Sequence, residues 1–210
     1  MGTLDVGVLV SGSGTNLQAI LDAVEDGSLN ARVRVVISNR PGVLALERAA
    51  KAGVATECLP HQEYPSRDAF DEALVATLRR HGAQWVVLAG FMRLLTPCML
   101  RAFEGRIVNI HPSLLPAFPG TRAQEQALHY GVKVTGCTVH FVDEGVDTGP
   151  VIGQRAVAVA DDDSVETLTQ RILTAEHALL VDVLRWISEE RVRVVPGGDP
   201  GRRARVVVSQ

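Results

Sequence analysis

The side chains best placed to do chemistry sit in one stretch, Asn109-Ile110-His111-Pro112-Ser113-Leu114-Leu115-Pro116-Ala117-Phe118-Pro119-Gly120. It follows an apolar run, Arg106-Ile107-Val108, that reads as the end of a buried strand. Side chains two apart on a strand share a face, so Asn109 and His111 project together. Pro112 has no N–H for a ladder bond, and Pro116, Pro119 and Gly120 prevent a helix, so the strand stops and turns here. An amide donor beside an imidazole suits a carbonyl that gains negative charge, as in acyl transfer. The alternative is an interior Asn–His pair that satisfies itself in a tight turn.

An imidazole acting as general acid works better beside a carboxylate, which raises its pKa and orients the ring. The string Asp143-Glu144-Gly145-Val146-Asp147-Thr148-Gly149-Pro150 offers three carboxylates and two glycines. Asp147 is the best candidate, because Gly145 and Gly149 let the backbone bring it close. Asp143 and Glu144 are rivals, and a solvated acidic loop is the plainer alternative. Glu176 is a further carboxylate of interest. Helical spacing places it inside the apolar stripe of Leu168, Ile172, Leu179 and Val183, where an unpaired charge is costly. It would meet either a substrate amine or hydroxyl, a buried Arg, or a wet cleft.

Near the N-terminus, Ser11-Gly12-Ser13-Gly14-Thr15-Asn16 lies between a Val-rich run and a helix-spaced set, Leu17, Ile20, Leu21 and Val24. Strand, glycine loop and helix start form the geometry in which free N–H groups and the helix dipole hold an anion. Position 17 is Leu, so the string is not a dinucleotide fingerprint, and no Lys follows to make a nucleotide-triphosphate loop. A small phosphate ester fits; a glycine turn with a Thr or Asn cap fits equally. Arg67 and Arg93, each near an element end, could bind an anionic ligand or lie on the surface.

These residues need a scaffold. A buried parallel strand is expected at 4–10, with strands at 32–38 and 85–89, a short one at 55–59, a buried one ending at His111, and further strands at 132–142 and 151–159. Helices are expected after the first glycine loop, at 43–52, from a Ser66 cap through His81, at 97–103, at 123–130, and from the 161–164 acidic cap to about 189. Strands alternating with helices argue an α/β fold, an open, mostly parallel twisted sheet with helices on both faces. In such sheets ligands bind at the carboxyl ends of the strands. A domain over 1–195 is expected, followed by a tail over 196–210. The tail would hold a loose connection through Gly197-Gly198-Asp199-Pro200-Gly201 and an edge strand at 206–208.

With 210 residues and 46% hydrophobic content, the chain can bury a full core as one domain. A net charge of −3 gives no basic footprint for nucleic acid. No apolar run approaches a membrane span, and the first residues lack the features of a signal peptide. Cys58, Cys98 and Cys137 are far apart without metal spacing, and the six His show no paired ligand spacing. A cytoplasmic protein without a disulfide or metal is the plain expectation.

Taken together, the segments from Ser11 to Ile20, Ala89-Gly90-Phe91-Met92-Arg93-Leu94-Leu95, residues 109–120, residues 139–152 and Glu176-His177-Ala178 resemble the phosphoribosylglycinamide formyltransferases, folate-dependent enzymes of purine synthesis. The resemblance covers nearly all of the chain except its tail. It implies transfer of a formyl group from 10-formyltetrahydrofolate, as co-substrate, to the amine of glycinamide ribonucleotide, by a monomer or homodimer. Asn109 and His111 would stabilise the oxyanion, His111 protonating the departing folate nitrogen and Asp147 keeping His111 protonated. Gly14, Thr15 and Asn16 would hold the phosphate and Glu176 the glycinamide end. Arg67, Met92, Arg93, Leu94, Leu95, Asn109, Asp143, Glu144, Gly145, Val146 and Asp147 would line the folate site. Leu173 stands where a Lys or Gln phosphate contact is familiar, so phosphate binding would rest more on the early glycine loop, or on another basic group such as Arg122 or Arg171. Arg122 itself stands where His is commoner. Methionyl-tRNA formyltransferase and formyltetrahydrofolate hydrolase share the central chemistry, but each carries a further domain for which this length leaves no room. A non-catalytic phosphate-ligand sensor on the same sheet would need Asn109, His111 and Asp147 only as structural residues.

Overall fold

The structure, a computed structural model, describes residues 2–198 and 203–209. Its strands hydrogen-bond into a seven-stranded, mostly parallel sheet and a separate two-stranded one. The chain divides into two units, residues 1–109 and 110–210.

In the first unit, largely buried apolar runs make β1 (Leu4–Val10), β2 (Ala31–Ser38), β4 (Trp85–Leu88) and the start of β5 (Ile107–His111), and a short, mostly exposed segment adds β3 (Thr56–Cys58) at the edge. They pair in parallel in the order β3-β2-β1-β4-β5. Val6, Val8, Leu9 and Val10 of β1 are fully buried, and each such side chain contributes about 1.5–3 kcal/mol of burial. Four helices connect the strands: α1 (Thr15–Glu25), α2 (Leu44–Lys51), α3 (Arg67–Arg80) and α4 (Pro97–Ala102). The start of α3 is fixed by Ser66, whose hydroxyl accepts the Ala69 N–H at 3.1 Å. Such a cap contributes about 1 kcal/mol.

The second unit holds α5 (Ala123–Tyr130), β6 (Val134–Phe141), β7 (Val151–Ala158), α6 (Val165–Ser188), β8 (Val192–Val195) and β9 (Arg205–Val208). β6 and β7 form an antiparallel hairpin whose loop closes on the Phe141 N–H to Pro150 O bond, 2.9 Å. α6 begins with a reciprocal cap between Ser164 and Thr167. It packs on β6, β7 and α5 with the expected stripe of Leu168, Ile172, Glu176, Leu179 and Val183 buried. The expected elements all form, with ends moved by a residue or two. β8 was not expected. Residues 206–208 lie in β9, which pairs antiparallel with β8 in its own two-stranded sheet and packs against β7. Asp199, Pro200 and Gly201 of the expected loose connection lie outside the described residues.

Candidate functional site

The carboxyl ends of β1, β4 and β5 lie side by side in the first unit, with Leu88 in register with Asn109. Two loops leave that edge. The glycine loop at 11–16 is clasped to the 90–95 loop by Ser11, whose N–H donates to Gly90 O at 3.1 Å. The Ser11 hydroxyl accepts the Met92 N–H at 2.9 Å and donates to Asn39 Oδ1 at 2.6 Å. Gly14 is the N-cap of α1 with φ 72° and supplies no side-chain cap, so the first-turn N–H groups of Thr15 and Asn16 have no capping oxygen from that position. A Cβ on Gly14 would lie 2.7 Å from Ala45 Cα, so only glycine lets α2 come this close.

The 90–95 loop presents Met92, 65% exposed, and Leu94, 55% exposed. Large apolar side chains left bare on a loop are suited to a flat hydrophobic ligand. Arg67 and Arg93 both brace this loop. The Arg67 guanidinium donates to Leu94 O at 3.0 Å, and that of Arg93 lies 5.4 Å from the centre of the Phe70 ring. Buried Asp71, whose carboxyl burial pushes above its usual range, accepts the Thr96 N–H at the loop's end. Arg67, Met92, Arg93 and Leu94 therefore do belong to one neighbourhood, with Leu95 half-buried between them and Thr96.

β5 carries Asn109, half-buried, and His111, 4% exposed, and their spacing on a strand puts them on one face. In the second unit both ring nitrogens of His111 face acceptors. Nε2 is 2.8 Å from Phe118 O, and Nδ1 is 3.3 Å from Asp147 Oδ2. A carbonyl can only accept, so Nε2 carries a proton. Asp147 Oδ2 also accepts the Gly120 N–H at 2.7 Å, and its Oδ1 faces His140 Nε2 at 3.6 Å. The other nitrogen of His140, Nδ1, bonds Phe141 O at 2.7 Å.

The carboxylate that meets His111 is thus Asp147. Asp143 turns into its own loop, accepting from Gly145 N at 3.1 Å and from the Thr148 hydroxyl at 2.6 Å, and Glu144 is exposed. Val146 is exposed at the loop tip. Asp147 holds a left-handed φ of 54°, which costs a non-glycine residue about 1–2 kcal/mol. Gly149 permits the approach: a Cβ there would lie 1.8 Å from Phe141 O. A hollow of about 860 Å³ opens beside this loop, walled by Leu115, Pro116, Pro150, Val151 and residues 203–206.

The electrostatics differ from expectation. Burial outweighs both the Phe118 carbonyl and the Asp147 charge, so the His111 imidazole is held below its usual pKa rather than above it. The expected protonated His111 therefore does not describe the resting imidazole at neutral pH. Burial opposes the Asp147 charge too, yet the bonds from His140 and Gly120 and the nearby His111 hold its carboxyl below the usual range.

Glu176 is 4% exposed. Burial, with the Glu176 charge second, pushes the neighbouring Cys137 thiol up to about 12. The two basic groups expected to replace a contact at Leu173 are otherwise engaged. Arg171 grips Asp163 through two bonds of 2.7 and 2.8 Å and also bonds Ala158 O. Arg122, exposed, pairs with Glu125 at 3.6 Å. Sequence reading missed His140, whose signal was a lone imidazole in an otherwise buried strand. It also missed Ser11, Phe118 O and the Gly120 N–H, which no residue type announces. Among the described residues no cluster of three or more His, Cys, Asp or Glu could hold a metal, and no helix is long and apolar enough to cross a membrane.

Comparison with known proteins gives the following. Residues 4–184 match the model of the formyl transferase family. The phosphoribosylglycinamide formyltransferase of Escherichia coli is 42% identical over 191 residues, covering 91% of this chain and 90% of that one. The trifunctional purine biosynthetic protein adenosine-3 of Drosophila melanogaster is 49% identical over 194 residues, and this chain spans 14% of its length. The crystal structure of glycinamide ribonucleotide transformylase 1 from Symbiobacterium toebii superposes with a TM-score of 0.94 at 52% identity, covering 99% of this chain and 95% of that one.

Proposed function

Because the chain belongs to the formyl transferase family and matches its phosphoribosylglycinamide members over nearly their whole length, we propose that it moves a formyl group from 10-formyltetrahydrofolate to the amine of 5'-phosphoribosylglycinamide. The attacking nitrogen forms a bond to the formyl carbon, and the carbonyl oxygen becomes an oxyanion. The Asn109 amide donates to that charge, and the positive charge that His111 gains with its proton stabilises it. A proton leaves the attacking nitrogen, the bond from carbon to the folate nitrogen breaks, and that nitrogen takes a proton.

A His111 held neutral at rest suits this sequence, since it can first accept a proton and then return one. The proton it gains sits on Nδ1, where Asp147 Oδ2 accepts it, because Nε2 is already protonated toward Phe118 O. Gly14, Thr15 and Asn16 take the phosphate, Glu176 the glycinamide end, and the exposed Met92 and Leu94 with Arg67, Arg93, Leu95 and the 143–147 loop the folate. Residues 1–195 act as the formyltransferase domain and 196–210 as its tail, working in the cytoplasm as a monomer or homodimer without metal.

The observation that carries this reading is the buried His111–Asp147 contact at 3.3 Å, on the strand that also presents Asn109. The test is to mix the purified protein with 10-formyltetrahydrofolate and glycinamide ribonucleotide and follow the folate spectrum. Deformylation that requires the ribonucleotide is expected. Deformylation without it would point to hydrolysis, and none at all to a non-catalytic binder.

A further inference from the structure

We propose that Arg48 is a positioning residue for the substrate phosphate, acting through the peptide between Ser13 and Gly14. This rests on the assignment of the phosphate to the glycine loop. Arg48 lies on α2, and its Nε donates to Ser13 O at 2.9 Å. Its Nη1 donates to Gln18 Oε1 at 3.1 Å, on the first turns of α1. One guanidinium thus ties the loop before α1 to the helix that follows it, from the side of α2. A second bond supports the same alignment, with the Ala45 N–H donating to Gly12 O at 3.2 Å.

The peptide unit explains why this matters for an anion. In a trans peptide the C=O and the N–H point in opposite directions. With the Ser13 oxygen held by Arg48, the Gly14 N–H points away from α2. Among the described residues that N–H has no acceptor. A cation on the oxygen polarises the whole unit and makes the N–H a better donor, as in other chains of hydrogen bonds. The positive charge also adds to the dipole at the start of α1, whose first turn carries no acidic residue.

Arg48 is free to do this because its charge is not neutralised nearby. Its partners among the described residues are the two neutral oxygens, and no ion pair of 4 Å or less takes it up there. It lines a hollow of about 360 Å³ with Gln18, Glu25, Glu47 and Lys51, where charges of both signs are present but none of them caps the guanidinium. The other arginines considered for the phosphate behave differently: Arg171 is bound to Asp163 and Arg122 to Glu125. A cation behind the loop supplies what Leu173 does not.

The experiment compares glycinamide ribonucleotide with its dephosphorylated ribonucleoside as substrates for the unsubstituted protein, Arg48→Ala, Arg48→Lys and Thr15→Val. Arg48→Ala is expected to raise KM for the ribonucleotide about tenfold, the effect of losing one charge-assisted bond. Its kcat, its KM for the folate and its KM for the ribonucleoside should stay as they were. Arg48→Lys, which keeps a cation but offers a compact one, should recover part of the loss. An equal loss for both substrates, or no loss for either, overturns the role of Arg48, because a brace for the fold does not read the phosphate. Thr15→Val separates the underlying assignment. It keeps the shape and removes a hydroxyl of the loop, so it should weaken the ribonucleotide alone. If Thr15→Val and Arg48→Ala both leave the ribonucleotide unaffected, the phosphate does not sit on this loop and both readings fall. If only Thr15→Val acts, the loop binds phosphate and Arg48 does not tune it.

Discussion

The glycine loop of the first unit and the His111 cluster of the second are built on opposite principles. The loop at 11–16 works with its main chain: Gly14 at φ 72° opens α1, and Arg48 and Ala45 hold its carbonyls from behind. Of its own side chains, Ser11 clasps the neighbouring loop and the Thr15 hydroxyl is assigned to the phosphate. The cluster works with side chains, His111, His140 and Asp147, buried and arranged so that each titrating atom meets a specific partner. A main-chain site fails when a Cβ is added, through shape. A side-chain site fails when a functional group is removed, through chemistry. Substitutions should therefore separate the two regions by the quantity they disturb.

The largest effect is expected at His111. His111→Ala should lower kcat by about two to four orders of magnitude, the usual worth of a general acid–base group, while ligand affinities measured by titration stay within a few-fold. Asn109→Ala follows, at about two to three orders, as for one missing oxyanion donor. A large rise in KM with kcat intact for either variant would move that residue out of the chemistry.

Glu176→Gln should cost roughly ten- to a hundredfold in kcat/KM, the range for a hydrogen bond to a charged group, while a calorimetric scan finds the melting temperature nearly unchanged, because the amide keeps the shape and most of the hydrogen-bonding capacity of the side chain. A clear fall in melting temperature would instead assign Glu176 to an internal pair.

Asp147→Asn should act mainly through pH. Asp147 raises the His111 pKa against the stronger effect of burial, so its loss lowers that pKa further. The acid limb of the pH–rate profile should then move to lower pH, with reduced turnover at neutral pH. A profile of unchanged shape, merely scaled down, would sink the idea that Asp147 tunes His111. The same signs apply to stability. His111 sits below its unfolded value and Asp147 does too, so acidification should destabilise the protein in two stages, through His111 below about pH 6.5 and through Asp147 only below about pH 4.

The smallest expected effect on the chemistry is at Gly14. Gly14→Ala forces a left-handed alanine against Ala45, so the melting temperature should drop by roughly 5 °C and the ribonucleotide should weaken more than the folate. Equal weakening of both ligands would remove the contrast between the two regions.

What could be read from the sequence follows the same division. Buried parallel strands such as β1 announce themselves as Val-rich runs, and the helical spacing of the α6 stripe is enough to place Glu176 indoors. β8 did not, because Arg191 and Arg193 flank and interrupt a short run that is only partly buried and is paired only with another four-residue strand. In the candidate site, residue types and glycine spacing pointed to Asn109, His111 and the acidic loop. Glycine spacing also favoured Asp147 over Asp143, and the hairpin that closes at Phe141 and Pro150 is what sets the loop carrying it. The lowered His111 pKa depended on burial, which gathers atoms from many segments and has no local signature.

One bond in the cluster makes the protein its own indicator. The Gly120 amide hydrogen points at Asp147 Oδ2 from 2.7 Å, so the electron density around that hydrogen follows the state of the carboxylate. In a two-dimensional amide NMR spectrum its resonance should move as Asp147 gains a proton or as charge moves to and from His111. A single backbone signal would then record the proton inventory of the cluster in solution, without a reporter group or a substrate.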